Sequence, residues 1–383
     1  MLPRRCPFSA DGRATDGRSA AERDRWYMRR ALALARRGWG QTAPNPMVGA
    51  VVVREGRIVG EGYHRRYGER HAEVEALVGA AKRARGATLY VTLEPCAHHG
   101  QTPPCVDAII AAGVRRVVIA TRDPNPVAAG GHERLTRAGI DVVIGVEERR
   151  AREHNAIFLH TQTSRRAWVT LKLALSIDGA IADAHGRSRW ITGSAARRAT
   201  HWLRAGHDAV AVGIGTAVAD DPALTVRHGP APRVPPTRIV FDRQARLPLD
   251  STLVRGARGT PTLIVAHEAA AARVRALRAR GVTVIDAPTP ADALVALRAL
   301  DICSVLVEGG ARLAGSLVER ALVDRLIIFH APVLLGAGAL PAFVFAAPAA
   351  LERARRFVPV ERHRFGDDLM TVYAPRETSC SPD

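Results

Sequence analysis

The stretch that decides the fold is His71-Ala72-Glu73, followed at 92–105 by TLEPCAHHGQTPPC. His71, Cys96 and Cys105 supply three ligands. That is the count of a catalytic zinc whose fourth position stays open for water. Glu73 lies two residues past His71, a carboxylate within reach of that water. Residues i and i+2 of a regular helix point to nearly opposite sides. His71 and Glu73 therefore serve one metal only from the first turn of a helix, seen end-on. Gly68-Glu69-Arg70 reads as the loop before it, and Val74, Leu77, Val78 and Ala81 recur at helical spacing as an expected apolar face. Cys96 follows the strand-like run 87–93 and Pro95; Cys105 follows Pro103-Pro104 and opens a second helix, CVDAIIAA. Two helix N-termini then face one ion, and their dipoles favour thiolates.

Each part has an ordinary alternative. Two cysteines nine apart are usually buried thiols, and a lone HxE is common by chance. Their order on a strand–helix alternation favours the metal. A structural zinc would take a fourth protein ligand, for which His64, His98 and His99 are at hand. H-x-E, then P-C and a second cysteine, with the glutamate as proton shuttle, is the signature of zinc deaminases.

The chain of 383 residues is 47% hydrophobic, enough for two or three domains. No apolar run reaches 18 residues, so no membrane partner is expected. The first 25 residues lack a continuous apolar segment, and the default location is the cytoplasm. The net charge is +18. Such a balance suits nucleic acid, but all of the basic residues except Lys82 and Lys172 are arginines scattered along the chain. A dispersed solvated surface, able to attract phosphorylated small molecules, is the simpler reading. The five cysteines, at 6, 96, 105, 303 and 380, are too few and too spread for a disulfide framework. Cys303, beside the run SVLVE, is expected in the core.

In order, residues 1–21 read as a disordered extension. A helix is expected over about 22–37. Asn45, between Pro44 and Pro46, presents an amide whose donor and acceptor suit a pyrimidine edge. Alternating strands and helices end the first domain near residue 150, and 151–166 reads as a connecting helix or linker. A second alternating unit runs over 167–376, with strand RLIIFHAP (325–332) closing its sheet and 377–383 a tail. SVLVEGG (304–310) leads into a helix, a geometry that cradles phosphate. VGIGT at 212–216 is a second place where backbone can approach a ligand closely.

Taken together, the two halves, residues 22–376, resemble the bifunctional riboflavin-biosynthesis deaminase/reductases. The motifs that carry this are APNPMVGAVVV, HAEVEAL, TLEPCAHHGQTPPC, LKLALSIDGAIA, WITG, GTAVADDPALTVR and VEGGARLAG. Eight residues separate Cys96 from Cys105, as in that family; cytidine and tRNA-adenosine deaminases have two. The resemblance implies an α/β protein: a cytidine-deaminase-like α/β/α domain, then a dihydrofolate-reductase-like α/β domain. It implies deamination of 2,5-diamino-6-ribosylamino-4(3H)-pyrimidinone 5′-phosphate, then NADPH-dependent reduction of the ribosyl group to ribityl. His71, Cys96 and Cys105 would bind one zinc, with Glu73 catalytic and Asn45 on the substrate. In the second half Lys172, Ser188, Arg204, Leu224, Arg227 and Glu308 match substrate positions, with Arg204 and Arg227 suited to the 5′-phosphate. Ala174, Trp190, Thr216, Asp220 and the run Gly310, Ala311, Arg312, Leu313, Ala314, Gly315, Ser316 match NADPH positions. A homo-oligomer, dimer or tetramer, is expected. Against the family pattern, Ala97 replaces a serine, Gln101 a basic residue and Arg243 a serine, and the loop 127–131 is one residue short. The rival reading is a deaminase of nucleic acid or another nucleotide with a degenerate second domain; it leaves the second half unexplained and has the wrong cysteine spacing.

Overall fold

The computed structural model describes residues 19–346 and 350–376. Residues 1–18 and the 377–383 tail therefore lie outside the described residues. Ser19–Ala21, expected in the disordered stretch, instead start a helix, α1 (Ala20–Ala35). Ser19 accepts from the N–H of Glu22 while the Glu22 carboxylate accepts from the N–H of Ser19, a complete capping box. The described residues fall into two compact units, divided between Thr163 and Ser164.

The first unit is a three-layer α/β/α sandwich. Its sheet contains β1 (Gly49–Arg54), β2 (Arg57–Tyr63), β3 (Thr88–Val91), β4 (Arg116–Ile119) and β5 (Asp141–Ile144), in the order β2-β1-β3-β4-β5. β1 runs antiparallel to both neighbours, and β3, β4 and β5 are parallel. The period-2 alternation of strand side chains sorts them into two cores. Val51, Val53, Tyr90 and Val118 pack on α1, with Met28 and Ala31. Ala50, Val52, Leu89, Val91, Val117 and Ile119 face the other way, onto α2 (Ala72–Ala80) and α3 (Cys105–Ala111). Also in this unit are α4 (Gly131–Arg137), α5 (Glu148–His154) and α6 (Ala156–Thr163). The stretch 151–166 is thus mostly helix, and Phe158 of α6 packs on the core.

The expected face of α2 needs correcting. Its buried residues are Ala72, Glu73, Ala76, Leu77 and Ala80, while Val78 is 60% exposed. The reason lies across the interface. A Cβ on Gly60 would overlap the carbonyl of Ala76, and one on Gly62 would overlap that of Ala72. The helix backbone lies directly on two glycines of β2, so only alanines fit between them. Val78 turns away, and Val74 is only partly buried.

The second unit carries one large sheet. Its elements are β6 (Trp168–Leu175), β7 (Ala180–Ala182), α7 (Ser194–Ala205), β8 (Ala209–Gly213), α8 (Ile214–Asp220), β9 (Thr237–Phe241), α9 (Thr252–Arg255), β10 (Thr262–Ala266), α10 (Ala271–Ala279), β11 (Thr283–Asp286), α11 (Pro290–Ala299), β12 (Ser304–Glu308), α12 (Ala311–Glu319), β13 (Arg325–His330), β14 (Leu340–Pro341), β15 (Phe357–Phe365) and β16 (Asp368–Pro375). The order is β11-β10-β9-β8-β12-β6-β13-β16-β15, with β14 and β7 paired separately. All strands from β11 to β13 are parallel; β16 and β15 are antiparallel additions. The β13 strand RLIIFH therefore does not close the sheet, because a C-terminal hairpin turning at Gly366 extends it by two strands. The chain leaves β6, builds outward from β8 to β11, and returns with β12 between β8 and β6. Ligands of open α/β sheets bind at the carboxyl ends of strands around such a reversal. Cys303, expected in the core, is only partly buried.

Candidate functional site

His71 is the N-cap residue of α2, in an extended conformation, and Cys105 is the first residue of α3. Cys96 lies in the loop after β3. The geometry demanded by the i, i+2 spacing is met, since His71 stands just outside the helix and Glu73 just within it. The ligand atoms of His71, Cys96 and Cys105 all lie within 4.8 Å of one another, the one such cluster found among the described residues. His71 Nδ1 faces both sulfurs, 3.2 Å from Cys105 Sγ and 3.6 Å from Cys96 Sγ. The N–H of Cys105 donates to Cys96 Sγ at 3.4 Å. The Cys96 thiol is pushed down, chiefly by the side-chain hydrogen bond with the Cys105 thiol. The same bond and burial push Cys105 up. An imidazole beside a thiolate–thiol pair sharing one proton is a donor set that suits zinc.

Glu73 is buried, and its Oε2 has no hydrogen-bond partner. Burial raises its pKa to about 7, with His71 opposing and Cys96 adding to the rise. A buried carboxylate with a free oxygen beside a ligand cluster is equipped to accept a proton and give it back.

Asn45, His64, Glu73, His98, Asn125 and Phe158 line the cleft around this cluster. Asn45 Nδ2 lies 3.2 Å from His64 Nε2, and His64 Nδ1 lies 3.2 Å from the carbonyl of Arg70. A carbonyl only accepts, so His64 donates from Nδ1 and accepts at Nε2. The Asn45 amide must then donate to His64, which leaves its Oδ1 as the free acceptor. The sequence offered both donor and acceptor; the neighbour keeps one. No lysine or arginine is among the described residues that line the cleft. Gln101 is there, and its side chain donates to the Tyr67 hydroxyl at 2.8 Å.

Two supporting residues were not found from sequence. Asn155 holds the backbone of Met47 at both ends, accepting from its N–H and donating to its carbonyl, each at 2.9 Å. It thereby fixes the loop that carries Asn45. Glu94 accepts from the backbone N–H of His132 at 3.0 Å and of Asp123 at 3.2 Å, with the His132 ring nitrogen 2.7 Å away. It ties the loop before Cys96 to α4. The glutamate of the EPC motif was the available signal; Asn155 carried none, because its partner is 108 residues away.

In the second unit, Lys172 of β6 and Glu308 of β12 are register partners on adjacent parallel strands. Arg204 of α7 covers them. Its Nε donates to Glu308 Oε1 at 2.6 Å, its Nη2 to Oε2 at 2.8 Å and its Nη1 to the carbonyl of Thr225 at 2.8 Å. The guanidinium expected to grip a phosphate is therefore committed to a carboxylate and a carbonyl. Arg227 is exposed, and its guanidinium has no carboxylate partner among the described residues. Leu224 is buried with φ of 50°, at the bend that brings Arg227 round. Lys172 is shifted below the usual lysine value, by burial first, with Glu308 opposing and Arg204 adding.

Ala174, Thr216 and Gly310, among the expected NADPH positions, lie near or just past the ends of β6, β8 and β12. Gly309 and Gly310, at φ of 72° and 87°, take a backbone that glycine tolerates best, and Gly310 caps α12. Thr216 Oγ1 would lie 3.2 Å from a Cβ on Gly310. Leu313 approaches Gly213, and Ala174 follows Lys172 by two residues along β6. Arg312 and Ser316 lie on the same helix, whereas Ala311 and Ala314 are buried and Gly315 is pressed against the backbone of Val344. Of that run, Ala314 and Gly315 face protein. Trp190 is 69% exposed, with Arg197 stacked 4.5 Å from its ring centre. Arg189 donates to the carbonyl of Asp220, and Ser188 accepts through its carbonyl from the N–H of Ile191. Arg243 is paired with Glu268 at 2.5 Å.

The cytidine and deoxycytidylate deaminase zinc-binding region matches residues 21–121, and the RibD C-terminal domain matches 167–352. A riboflavin biosynthesis protein RibD of Aquifex aeolicus is 45% identical over 320 residues, covering 83% of this chain and 89% of that protein. The chain belongs to the RibD family. The RibD protein of Escherichia coli is also 45% identical, over 82% of this chain and 89% of its own. Among solved structures, RibD of Acinetobacter baumannii superposes with a TM-score of 0.80 at 38% identity, covering 93% of this chain and all of that one. A Thermotoga maritima diaminohydroxyphosphoribosylaminopyrimidine deaminase/5-amino-6-(5-phosphoribosylamino)uracil reductase gives 0.80 at 34%, covering 94% and 100%. As a RibD protein this chain is a bifunctional enzyme of riboflavin biosynthesis, with a zinc-binding deaminase domain and an NADPH-using reductase domain. A likeness that runs through both halves favours this over a nucleic-acid deaminase with a degenerate second domain. Among the described residues, no helix is long and apolar enough to cross a membrane.

Proposed function

We propose that this RibD protein divides its chemistry as follows. The first unit removes the 2-amino group of 2,5-diamino-6-ribosylamino-4(3H)-pyrimidinone 5′-phosphate as ammonia. The second reduces the ribosyl group of the product, giving 5-amino-6-ribitylamino-uracil 5′-phosphate. The observation that carries the first step is the partnerless Oε2 of buried Glu73 beside three convergent ligand atoms. His71, Cys96 and Cys105 would hold the zinc, which when bound would supply a Lewis acid that brings deprotonation of water to near neutral pH. Glu73 accepts that proton and returns it to the departing amine. Asn45 orients the ring by accepting an N–H from its edge through Oδ1.

In the second unit Lys172 and Glu308 face the ribosyl group, with Ser188 and Leu224 shaping the pocket. Arg227 meets the 5′-phosphate, and Arg204 acts by holding Glu308 in place. NADPH, when bound, supplies the hydride. The N–H groups of the first turn of α12 at Gly310–Leu313 would hold its phosphates, and Trp190 would offer a flat face. Ala174, Thr216, Asp220 and Ser316 complete the binding strip.

Residues 22–150 and 167–376 are proposed as the working halves. The enzyme is further proposed to be a homo-oligomer, dimer or tetramer, acting in the cytoplasm without nucleic acid or a membrane as partner. Two thiol ligands and the use of NADPH suit a reducing compartment. A coupled assay tests the whole reading. Ammonia is expected from the diaminopyrimidine ribotide without NADPH, and NADPH oxidation only after deamination. Removing zinc with a chelator should stop ammonia release and spare reduction of the deaminated ribotide. NADPH oxidation by the undeaminated ribotide would overturn the order.

A further inference from the structure

His201 and Arg204 stand one turn apart on the same face of α7. Both grip one irregular segment. Arg204 donates to the carbonyl of Thr225, and the backbone N–H of Arg227 donates to His201 Nδ1 at 3.2 Å. The ring of His228 packs edge-on against His201, with centroids 5.1 Å apart. His201 is buried, 7% exposed. The segment it holds carries the guanidinium that is left without a carboxylate partner.

We infer that His201 is a positioning residue: its Nδ1 lone pair fixes the main chain at Arg227, so that the Arg227 guanidinium is held ready for the phosphate of the reductase substrate. This rests on the proposed reading of Arg227. A backbone N–H can only donate, so His201 must be neutral, with its proton on Nε2. Its surroundings keep it so. Burial comes first, then the charges of Arg204 and Arg227, with Glu308 opposing and His228 adding, and together they push its pKa down to about 4. A protonated His201 would have no lone pair to offer at Nδ1 and would place a third positive charge beside two arginines.

The test is steady-state reduction of the deaminated ribotide by the full-length zinc-loaded enzyme. His201→Leu should raise KM for the ribotide about five- to tenfold, the worth of one well-placed hydrogen bond, with kcat and KM for NADPH unchanged. His201→Asn, whose Oδ1 can take the place of Nδ1 as acceptor, should restore most of the loss. His201→Gln, similar in size but with its acceptor displaced, should not. The dephosphorylated riboside should be reduced alike by all four proteins. If Asn and Gln behave the same, or if riboside reduction falls in step with the ribotide, His201 is only a core residue and the inference is overturned. Should the leucine variant fail to fold, the contrast between the Asn and Gln variants decides by itself. Arg227→Gln separates the two levels. If it leaves KM for the ribotide unchanged, the phosphate reading itself has failed. If it raises KM while the His201 variants do not, only the positioning role has failed.

Discussion

Arg204 and Glu308, 104 residues apart in the chain, form a two-point ion pair with side chains only 12% and 13% exposed. Both charges are largely withdrawn from water, so neither is tolerable alone. Removing one partner of such a pair costs about 3–5 kcal/mol. Glu308→Ala should therefore lower the thermal stability of the second unit and abolish NADPH oxidation, while ammonia release by the first unit continues. Calorimetry with both assays on one sample checks this. An unchanged melting profile would mean that the pair is not worth its burial.

Glu73→Gln keeps the shape of the side chain and removes its ability to take a proton. Zinc content, measured by atomic absorption, should be retained, because Glu73 lies outside the ligand cluster. Deamination should fall roughly 10²–10⁴-fold, the usual worth of a general acid–base group. Reduction of deaminated ribotide should be untouched. Substantial residual deamination would move the shuttle to another group.

Lys172 sets a pH limit on reduction. Its pKa lies below the ordinary lysine value, chiefly through burial. The positive charge is complete below that pKa and lost as pH rises through it. The kcat/KM for reduction should therefore decline on the alkaline side, below the pH at which an exposed lysine titrates. Lys172→Arg, whose charge persists at such pH, should lack that decline, and Lys172→Ala should impair reduction at every pH while deamination is spared. A pH profile whose alkaline limb is the same in Lys172→Arg would assign the limb to another group.

Asn155→Ala should strand both backbone groups of Met47, a buried residue. The loss is about 1–3 kcal/mol for each of the two buried polar groups left unpaired. Because that loop also carries Asn45, KM for deamination should rise with the loss of stability. Denaturant unfolding and ammonia assays measure the two effects, and a destabilised variant with normal KM would separate the loop from substrate binding.

The zinc ligands were legible because their constraint is local. Each of His71, Cys96 and Cys105 sits beside a helix start or loop that the surrounding prolines and apolar spacing reveal. The strands and most helices were legible for the same reason. What the sequence hid was set by distant partners. Val74 and Val78 looked like the packed face of α2 until Gly60 and Gly62 were seen beneath the helix. Arg204 looked like a phosphate ligand because Glu308 is more than a hundred residues away. The β15–β16 hairpin was missed because no residue of β15 is buried, so the strand shows no clear apolar face.

Gly60 and Gly62 are neither zinc ligands nor among the residues that line the cleft, yet any side chain there would thrust α2 outward. His71 and Glu73 ride on the first turn of that helix. In a selection for riboflavin prototrophy, then, substitutions in this plain-looking strand should score among the loss-of-function alleles beside the ligands themselves. A geneticist mapping such alleles would draw the boundary of the deaminase centre one layer wider than its chemistry.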